Sequence, residues 1–313
     1  MRRLARIGLK LLLIPPLVAA VIGWLVGPAF LHPIRRALTP DLIREADVTF
    51  KEVHAQREEF DVRASDGVLL RGWKVRPANP NGGWVLTFHG VADNRVGMIG
   101  HAELLLRAGY CVVMMDGRAH GASEGPIATY GWLERNDIRA IVDALEENEH
   151  PTHLFALGES MGAGIALQSA AVEPRIEAVV AEASFANLTE AAYDYAGMRR
   201  FPWLGKTLLA PGAWMMVYRG QRLAGFPAAE VSPEKSVAAR AFPVLLICDT
   251  DDVALPCRHT KMIYAADRGP KQMWVVPGAY HTAALGYQPA EFRRRVLAFY
   301  DDVGAMQATE PRP

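Results

Sequence analysis

Residues 153–171, His153-Leu154-Phe155-Ala156-Leu157-Gly158-Glu159-Ser160-Met161-Gly162-Ala163-Gly164-Ile165-Ala166-Leu167-Gln168-Ser169-Ala170-Ala171, decide the fold. Residues 153–157 are short and apolar, as a strand buried on both faces is, and residues 161–171 are rich in helix formers. Between them lies G-x-S-x-G, with Ser160 at a strand-to-helix corner. Such a corner is sharp, and Gly158 and Gly162 remove the side chains that would collide there, which exposes the serine oxygen at the top of a sheet. The bare pattern arises by chance in roughly one chain in ten of this length, so its place between strand and helix carries the weight.

Outward from this corner, buried strand runs alternate with helical patterns. Residues 84–88, 111–115 and 153–157 read as strands, each followed by a helix at 96–108, 138–147 and 161–171. The strand runs continue at 176–181, 244–248 and 272–276, and residues 291–302 read as a closing helix. Residues 59–63 and 69–76 alternate apolar and polar side chains around Ser65-Asp66-Gly67, a hairpin that starts the sheet with antiparallel edge strands. The expectation is an α/β fold, a mostly parallel eight-stranded sheet with helices on both faces. Between Phe185 and Phe242 the alternation breaks, so residues 185–242 read as a short helical insert, or cap, before the acid strand. Its large side chains either pack the insert onto the domain or line an apolar acyl pocket, for which Trp203, Trp214, Met215 and Tyr218 are the candidates.

A serine hydroxyl needs a positioned base, itself oriented by a carboxylate. His281 follows the last strand on a loop at the carboxyl edge of the sheet, the edge from which Ser160 emerges, and is the expected base. The loop after strand 244–248 offers Asp249, Asp251 and Asp252. Asp252 lies deepest, four residues past the strand and four before Pro256, where a helix can begin, and is the chosen acid. Asp249 turning the chain and Asp251 facing solvent complete that reading, and these roles could be exchanged. Acyl transfer also needs donors aimed at the developing oxyanion. Here they are the backbone N–H groups of Met161, after the nucleophile, and of Val91, beyond Gly90 in the loop after strand 84–88. His89 reads as structural, and Asn94 and Arg95 as the start of the next helix.

The N-terminus differs in kind. Residues 11–31 carry no charge, are long enough to span a bilayer core, and follow Arg2, Arg3, Arg6 and Lys10. A membrane anchor is favoured over a cleaved signal because no A-x-A site closes the stretch, and over a buried core helix because it is apolar all round. Four basic residues before the span against Arg35 and Arg36 after it predict an N-in orientation, with the catalytic domain outside the cytoplasm. The expected organisation is residues 1–46 as anchor and polar juxtamembrane linker, 47–303 as the catalytic domain and 304–313 as a flexible tail.

The chain has 313 residues, and 34 Lys plus Arg balance 34 Asp plus Glu, so no global field draws nucleic acid. Cys111, Cys248 and Cys257 read as small buried hydrophobes, giving neither a metal site nor a disulfide framework, with a Cys248–Cys257 bridge as the weaker alternative. A metal held by Asp116, Asp249, Asp251 and Asp252 has little support, since Asp116 stands on another loop and no His or Cys cluster completes a site.

With Gly158-Glu159-Ser160-Met161-Gly162, His89-Gly90, Asp116-Gly117-Arg118-Ala119-His120-Gly121-Ala122-Ser123-Glu124-Gly125, the acid loop from Asp249 to Pro256, and His281, the chain resembles the α/β-hydrolase superfamily over residues 59–300. It looks closest to membrane-anchored, prolyl-oligopeptidase-like serine hydrolases. It departs where Cys248-Asp249 replace a usual His-Gly, with Asp252 still in place, and where Ala119 replaces a usual Gly. The resemblance implies a cofactor-free hydrolase working through an acyl-enzyme on a small-molecule ester or lipid, with the membrane met through the N-terminal helix. Thioester or peptide cleavage would use the same triad. Of another class altogether is a catalytically silent, membrane-tethered binding module.

Overall fold

The computed structural model describes residues 2–199 and 201–307. Its strands are β1 (Gln56–Arg63), β2 (Leu69–Arg76), β3 (Gly83–Phe88), β4 (Cys111–Met115), β5 (His153–Glu159), β6 (Ala178–Glu182), β7 (Val244–Asp249) and β8 (Lys271–Val276). They form one sheet in the order β1-β2-β4-β3-β5-β6-β7-β8. β1 and β2 pair antiparallel across the turn at Gly67 (φ 89°), β2 meets β4 antiparallel, and every later pairing is parallel. Crossover helices are what parallel neighbours require. On the chain, these are α3 (Ile99–Arg107), α4 (Glu134–Glu149), α5 (Met161–Ala170) and α10 (Arg258–Ala266), with α11 (Ala284–Tyr287) and α12 (Pro289–Gln307) closing the fold.

Strand side chains alternate between two apolar layers, as a period of two dictates. Trp84, Leu86 and Phe88 of β3 face one layer with Ile138, Leu145 and Ile165, while Val85 faces the other with Leu105, Phe292 and Tyr300. Both faces of the central strands are therefore buried, which is why their sequences read as continuous apolar runs. In register, Phe88 lies beside Gly158, Glu159 beside Glu182, and Asp249 beside Val276. The loops that follow β3, β5, β7 and β8 consequently leave the sheet at a common edge.

The insert consists of α6 (Leu188–Ala196), α7 (Pro202–Gly205), α8 (Ala210–Ala224) and α9 (Pro233–Ala239). A third apolar cluster joins α6 and α8 to Phe185, Phe226 and Leu255. Its base is pinned by charge: the Asp194 carboxylate of α6 accepts from His259 Nε2 and from Arg258, both at 2.6 Å, while His259 Nδ1 accepts from the Ala186 amide.

Three expectations need correction. Residues 32–46 are not all linker, because α2 (Pro40–Glu52) begins at Pro40, capped by the Thr39 hydroxyl, and buries Ala46 and Phe50 against the domain. The spacing of Leu42, Ala46 and Phe50 is the helical signal that the flanking charges obscure. At the other end α12 continues to Gln307, so residues 304–307 are helical; the rest of the expected tail lies outside the described residues. Finally, Cys248 and Cys257 form a disulfide, with Cα atoms 5.3 Å apart, and only Cys111 is a free, buried thiol. Nine residues separate the pair, and the acid loop turns back far enough to bring Cys257 against the end of β7.

The N-terminal segment forms α1 (Arg2–Val26), which runs on through Pro15 and Pro16, and a short turn of 3-10 helix, Ala29–Leu31, follows it. The window Ile14–Leu31 is long and apolar enough to cross a membrane and is only 22% buried against the protein. The buried positions recur at Ala19, Gly23 and Gly27, one stripe facing α8.

Candidate active site

Ser160 adopts φ 54° and ψ −118°, a conformation that L-residues avoid and that a nucleophile elbow requires. The two flanking glycines explain how the corner closes. A Cβ on Gly158 would lie 2.5 Å from the Gly162 carbonyl oxygen, and one on Gly162 would overlap the Phe88 carbonyl. The Ser160 amide donates to the Glu182 carbonyl at 2.9 Å, tying the corner to β6.

His281, on the loop after β8, meets Ser160 Oγ through Nε2 at 2.8 Å and Asp252 Oδ2 through Nδ1 at 2.6 Å. The other Asp252 oxygen accepts from the amides of Ala254 (2.7 Å) and Leu255 (2.9 Å), which fixes a carboxylate that is almost fully buried. Nδ1 therefore carries the proton given to Asp252, and Nε2 faces the serine as an acceptor. Of the three candidate acids, only Asp252 touches His281. Asp251 is exposed and meets Thr250, while Asp249 is buried and accepts from the Thr282 amide at 3.0 Å.

Asp249 has a second neighbour that sequence reasoning missed. The Glu182 carboxyl, on β6, accepts from the Ala284 amide at 2.9 Å and lies against Asp249. Burial, then the Asp249 charge, pushes Glu182 well above the carboxylate range, and burial lifts Asp249 to about 6 even though the hydrogen bond with Glu182 opposes it. One proton shared between the two satisfies both, and together they grip the backbone on either side of Ala283, just past His281. His101, held down to about 4 by burial, is neutral beside them. An acidic residue at the end of each of two neighbouring parallel strands is the signal in the sequence that points to such a pair.

An apolar cavity of about 290 Å³ opens at Ser160. Val91 and Met161 flank the serine in its wall, and Gly90 lies next to it, a Cβ built there standing 3.6 Å from Ser160 Cβ, an ordinary contact distance. The rest of the wall includes Phe185, Leu188 and Tyr195, Met216 and Val217 of α8, and Phe30 beyond the end of α1. The four expected pocket residues do not line it. Trp203 and Trp214 are 65% and 55% exposed, Tyr218 stacks on Trp214 at 5.2 Å, and Met215 lies outside the wall. At 3.6 residues per turn, the α8 face holding Ala213, Met216, Val217 and Gly220 turns inward, which sends Trp214 and Tyr218 outward. A second, more polar hollow of about 220 Å³ lies at the mouth, between Asp93, Glu159, Arg199 and His281.

The remaining motif residues are structural. His89 accepts from the Gly117 amide at 3.0 Å, and burial lowers its pKa. Asn94 caps the turn at Val96, and Arg95 is buried in an ion pair with Asp116 at 2.8 Å. Asp116 also accepts from the Ala122 amide, so it holds its own loop together. Ala119 stands at φ 61°, where the resemblance has glycine. Among the described residues, no three His, Cys, Asp or Glu side chains gather as a metal site would require.

A sheet of this order, with a serine at the turn after β5, an acid after β7 and a histidine after β8, is the α/β-hydrolase fold. Residues 79–217 match the family model described as serine aminopeptidase, S33. The chain is 29% identical to the uncharacterized protein YqkD of Bacillus subtilis, over 94% of this chain and 97% of that one. It is 24% identical to the uncharacterized protein YfhR of Escherichia coli, over 77% and 80%. Among solved structures, a Pyrococcus furiosus esterase superimposes with a TM-score of 0.68 at 22% identity, covering 87% of this chain and 98% of the esterase. A Pyrococcus horikoshii acylaminoacyl peptidase gives 0.61 at 15% identity, covering 81% of this chain and 42% of the peptidase.

Proposed function

We propose that the chain is a membrane-anchored serine hydrolase that cleaves carboxylic esters of apolar acyl groups through an acyl-enzyme on Ser160. The observation that carries this reading is the unbroken relay Asp252–His281–Ser160 opening on an apolar cavity. His281 Nε2 takes the serine proton as Oγ attacks the ester carbonyl carbon. Asp252 orients the ring and balances its charge, and the Val91 and Met161 amides hold the oxyanion. His281 then passes the proton to the departing alcohol. A water, deprotonated in turn by His281, releases the acid and restores Ser160. None of these steps requires a cofactor.

With α2 and the full length of α12 included, residues 40–307 serve as the hydrolase domain and 185–242 as its cap. The likeness to an esterase supports ester cleavage, and the apolar wall supports an acyl rather than a charged substrate. The window Ile14–Leu31 supports an anchor, with the basic N-terminus inside. The Cys248–Cys257 disulfide favours an extracytoplasmic domain, because disulfides persist in oxidising compartments. Peptide cleavage is the second reading, favoured by the serine aminopeptidase match and the acylaminoacyl peptidase likeness. A thioester would engage the same groups.

Fluorophosphonate labelling tests the reading. The full chain in detergent is expected to label at Ser160, and Ser160→Ala and His281→Ala to abolish labelling and lower ester turnover by roughly 10⁴-fold to 10⁶-fold. A folded parent that does not label would favour the silent binding module, and faster cleavage of peptide amides than of matched esters would favour the peptidase.

A further inference from the structure

The anchor and the cap are one packed unit. α1 and α8 run parallel, with Ala19 and Gly23 of α1 against Gly212, Gly27 against Met216 and Arg219, and Phe30 against Gly220. The approach is as close as small residues allow: a Cβ on Gly23 would overlap the Gly212 carbonyl, and one on Gly212 would lie 2.6 Å from the Ala19 carbonyl oxygen. Seams of this kind are how helices associate in lipid, where apolar contact alone gives no advantage.

α8 cannot lie flush along a bilayer helix and stay clear of the bilayer. On α1, Leu17, Val21 and Leu25 point away from the seam, and on α8 Trp214 and Tyr218 do the same, so both outer sides of the pair are exposed and apolar, with Trp203 and Leu208 exposed on the segment leading into α8. An apolar surface of this extent, rich in Trp and Tyr, matches the belt that proteins place at the lipid headgroup level. Arg219 marks the upper limit, with its guanidinium 4.9 Å from the Trp24 ring centroid and bonded to the Trp24 carbonyl, as a snorkelling arginine would be. Behind the same two elements lies the cavity, walled by Phe30 and Met216 and ending at Ser160.

We propose that this cap face is immersed in the leaflet that α1 enters, and that the cavity takes its acyl chain directly from a membrane lipid ester rather than from solution. The proposal rests on the serine-esterase and anchor readings above, and names the source and class of their substrate. Immersion follows from the close packing of the pair: the seam leaves no room for solvent, and the outer sides of both helices, facing opposite ways, are apolar. A single acyl chain suits an apolar cavity of about 290 Å³. Entry beside Met216 and Phe30 would bring its carboxyl end to Ser160 while the headgroup stays in the polar hollow near Arg199.

Two measurements on the full chain in phosphatidylcholine–phosphatidylglycerol vesicles test this. With lipids brominated midway along one acyl chain, Trp203→Phe and Trp214→Phe should each remove a share of the lipid-quenched emission, whereas Trp274→Phe, in the domain core, should remove none. Equal quenching in parent and cap variants would overturn immersion, and so would a change in oligomeric mass in Trp214→Phe, which would give the face to a second copy. The double variant Trp214→Ser, Tyr218→Ser should lose about tenfold or more of its activity on a long-chain ester held in vesicles. It should keep the parent's rate on a soluble butyrate ester and its fluorophosphonate labelling. An unchanged vesicle rate would overturn access from the leaflet. A parent that cleaves neither ester and does not label would instead refute the hydrolase reading, and the quenching would still decide the membrane face.

Discussion

Glu159 precedes the nucleophile, and its carboxyl is lifted to about 8, chiefly by burial and then by the charges of Asp93 and Asp249. The folded chain therefore keeps a proton that an unfolded chain gives up near pH 4.5. Stability on this account is fully present below about 4.5 and is lost as pH rises through about 8. Urea midpoints of the parent should fall across that window, and Glu159→Gln, a neutral isostere, should flatten the slope. An equally steep decline in Glu159→Gln would transfer the effect to the Glu182–Asp249 pair, where burial raises both groups. Because the same carboxyl sits in the polar hollow beside Ser160, its ionisation also places a negative charge where an oxyanion forms. Ester turnover in the parent should accordingly level off sooner at alkaline pH than in Glu159→Gln.

Among the elements, α8 supplies Met216 and Val217 to the cavity wall. Met216 forms part of the wall and Met215 does not, so Met216→Trp should shorten the acyl chain that fits, cutting the ratio of long-chain to acetyl ester turnover about tenfold or more. Met215→Trp should leave that ratio unchanged; the opposite result would place the substrate on the outer face of the helix. The two methionines also show where sequence reading stops. The strand at residues 153–159 was legible because burial on both faces leaves a continuous apolar run, and the meeting of Ser160, Asp252 and His281 was legible because each follows a parallel strand at the same edge of the sheet. The inward face of α8 was not. Aromatic residues attract a pocket assignment by size, but which side of a helix they occupy depends on its partner, and here the partner is α1, nearly two hundred residues away. Glu182 carried only the weak signal of an acidic strand end, and the Cys248–Cys257 bridge stood as the weaker of two readings, since the partner of each depends on where a loop returns.

At the scale of the whole molecule, covalent and noncovalent ties converge on the edge where the loops meet. The disulfide closes a short ring around Asp252, and loop-closure entropy for such a ring amounts to about 2–3 kcal/mol. Cys257→Ser, or the parent under reductant, should lose stability on that scale in urea unfolding, with turnover falling as the acid loop loosens; an unchanged midpoint would leave the bridge without a mechanical role. The tie between α1 and the cavity matters for anyone preparing the enzyme. Cutting a single-pass protein after its anchor ordinarily yields the same catalyst in soluble form. Here a chain that begins at His32 lacks Phe30, so one side of the cavity opens to water, and the glycines of α8 lose the helix they were packed against. Such a fragment should turn over short soluble esters faster than long ones, the reverse of the order that the proposed acyl cavity predicts for the intact protein when both are assayed in detergent. A substrate screen run on the trimmed version would then describe a cavity that the cell never contains.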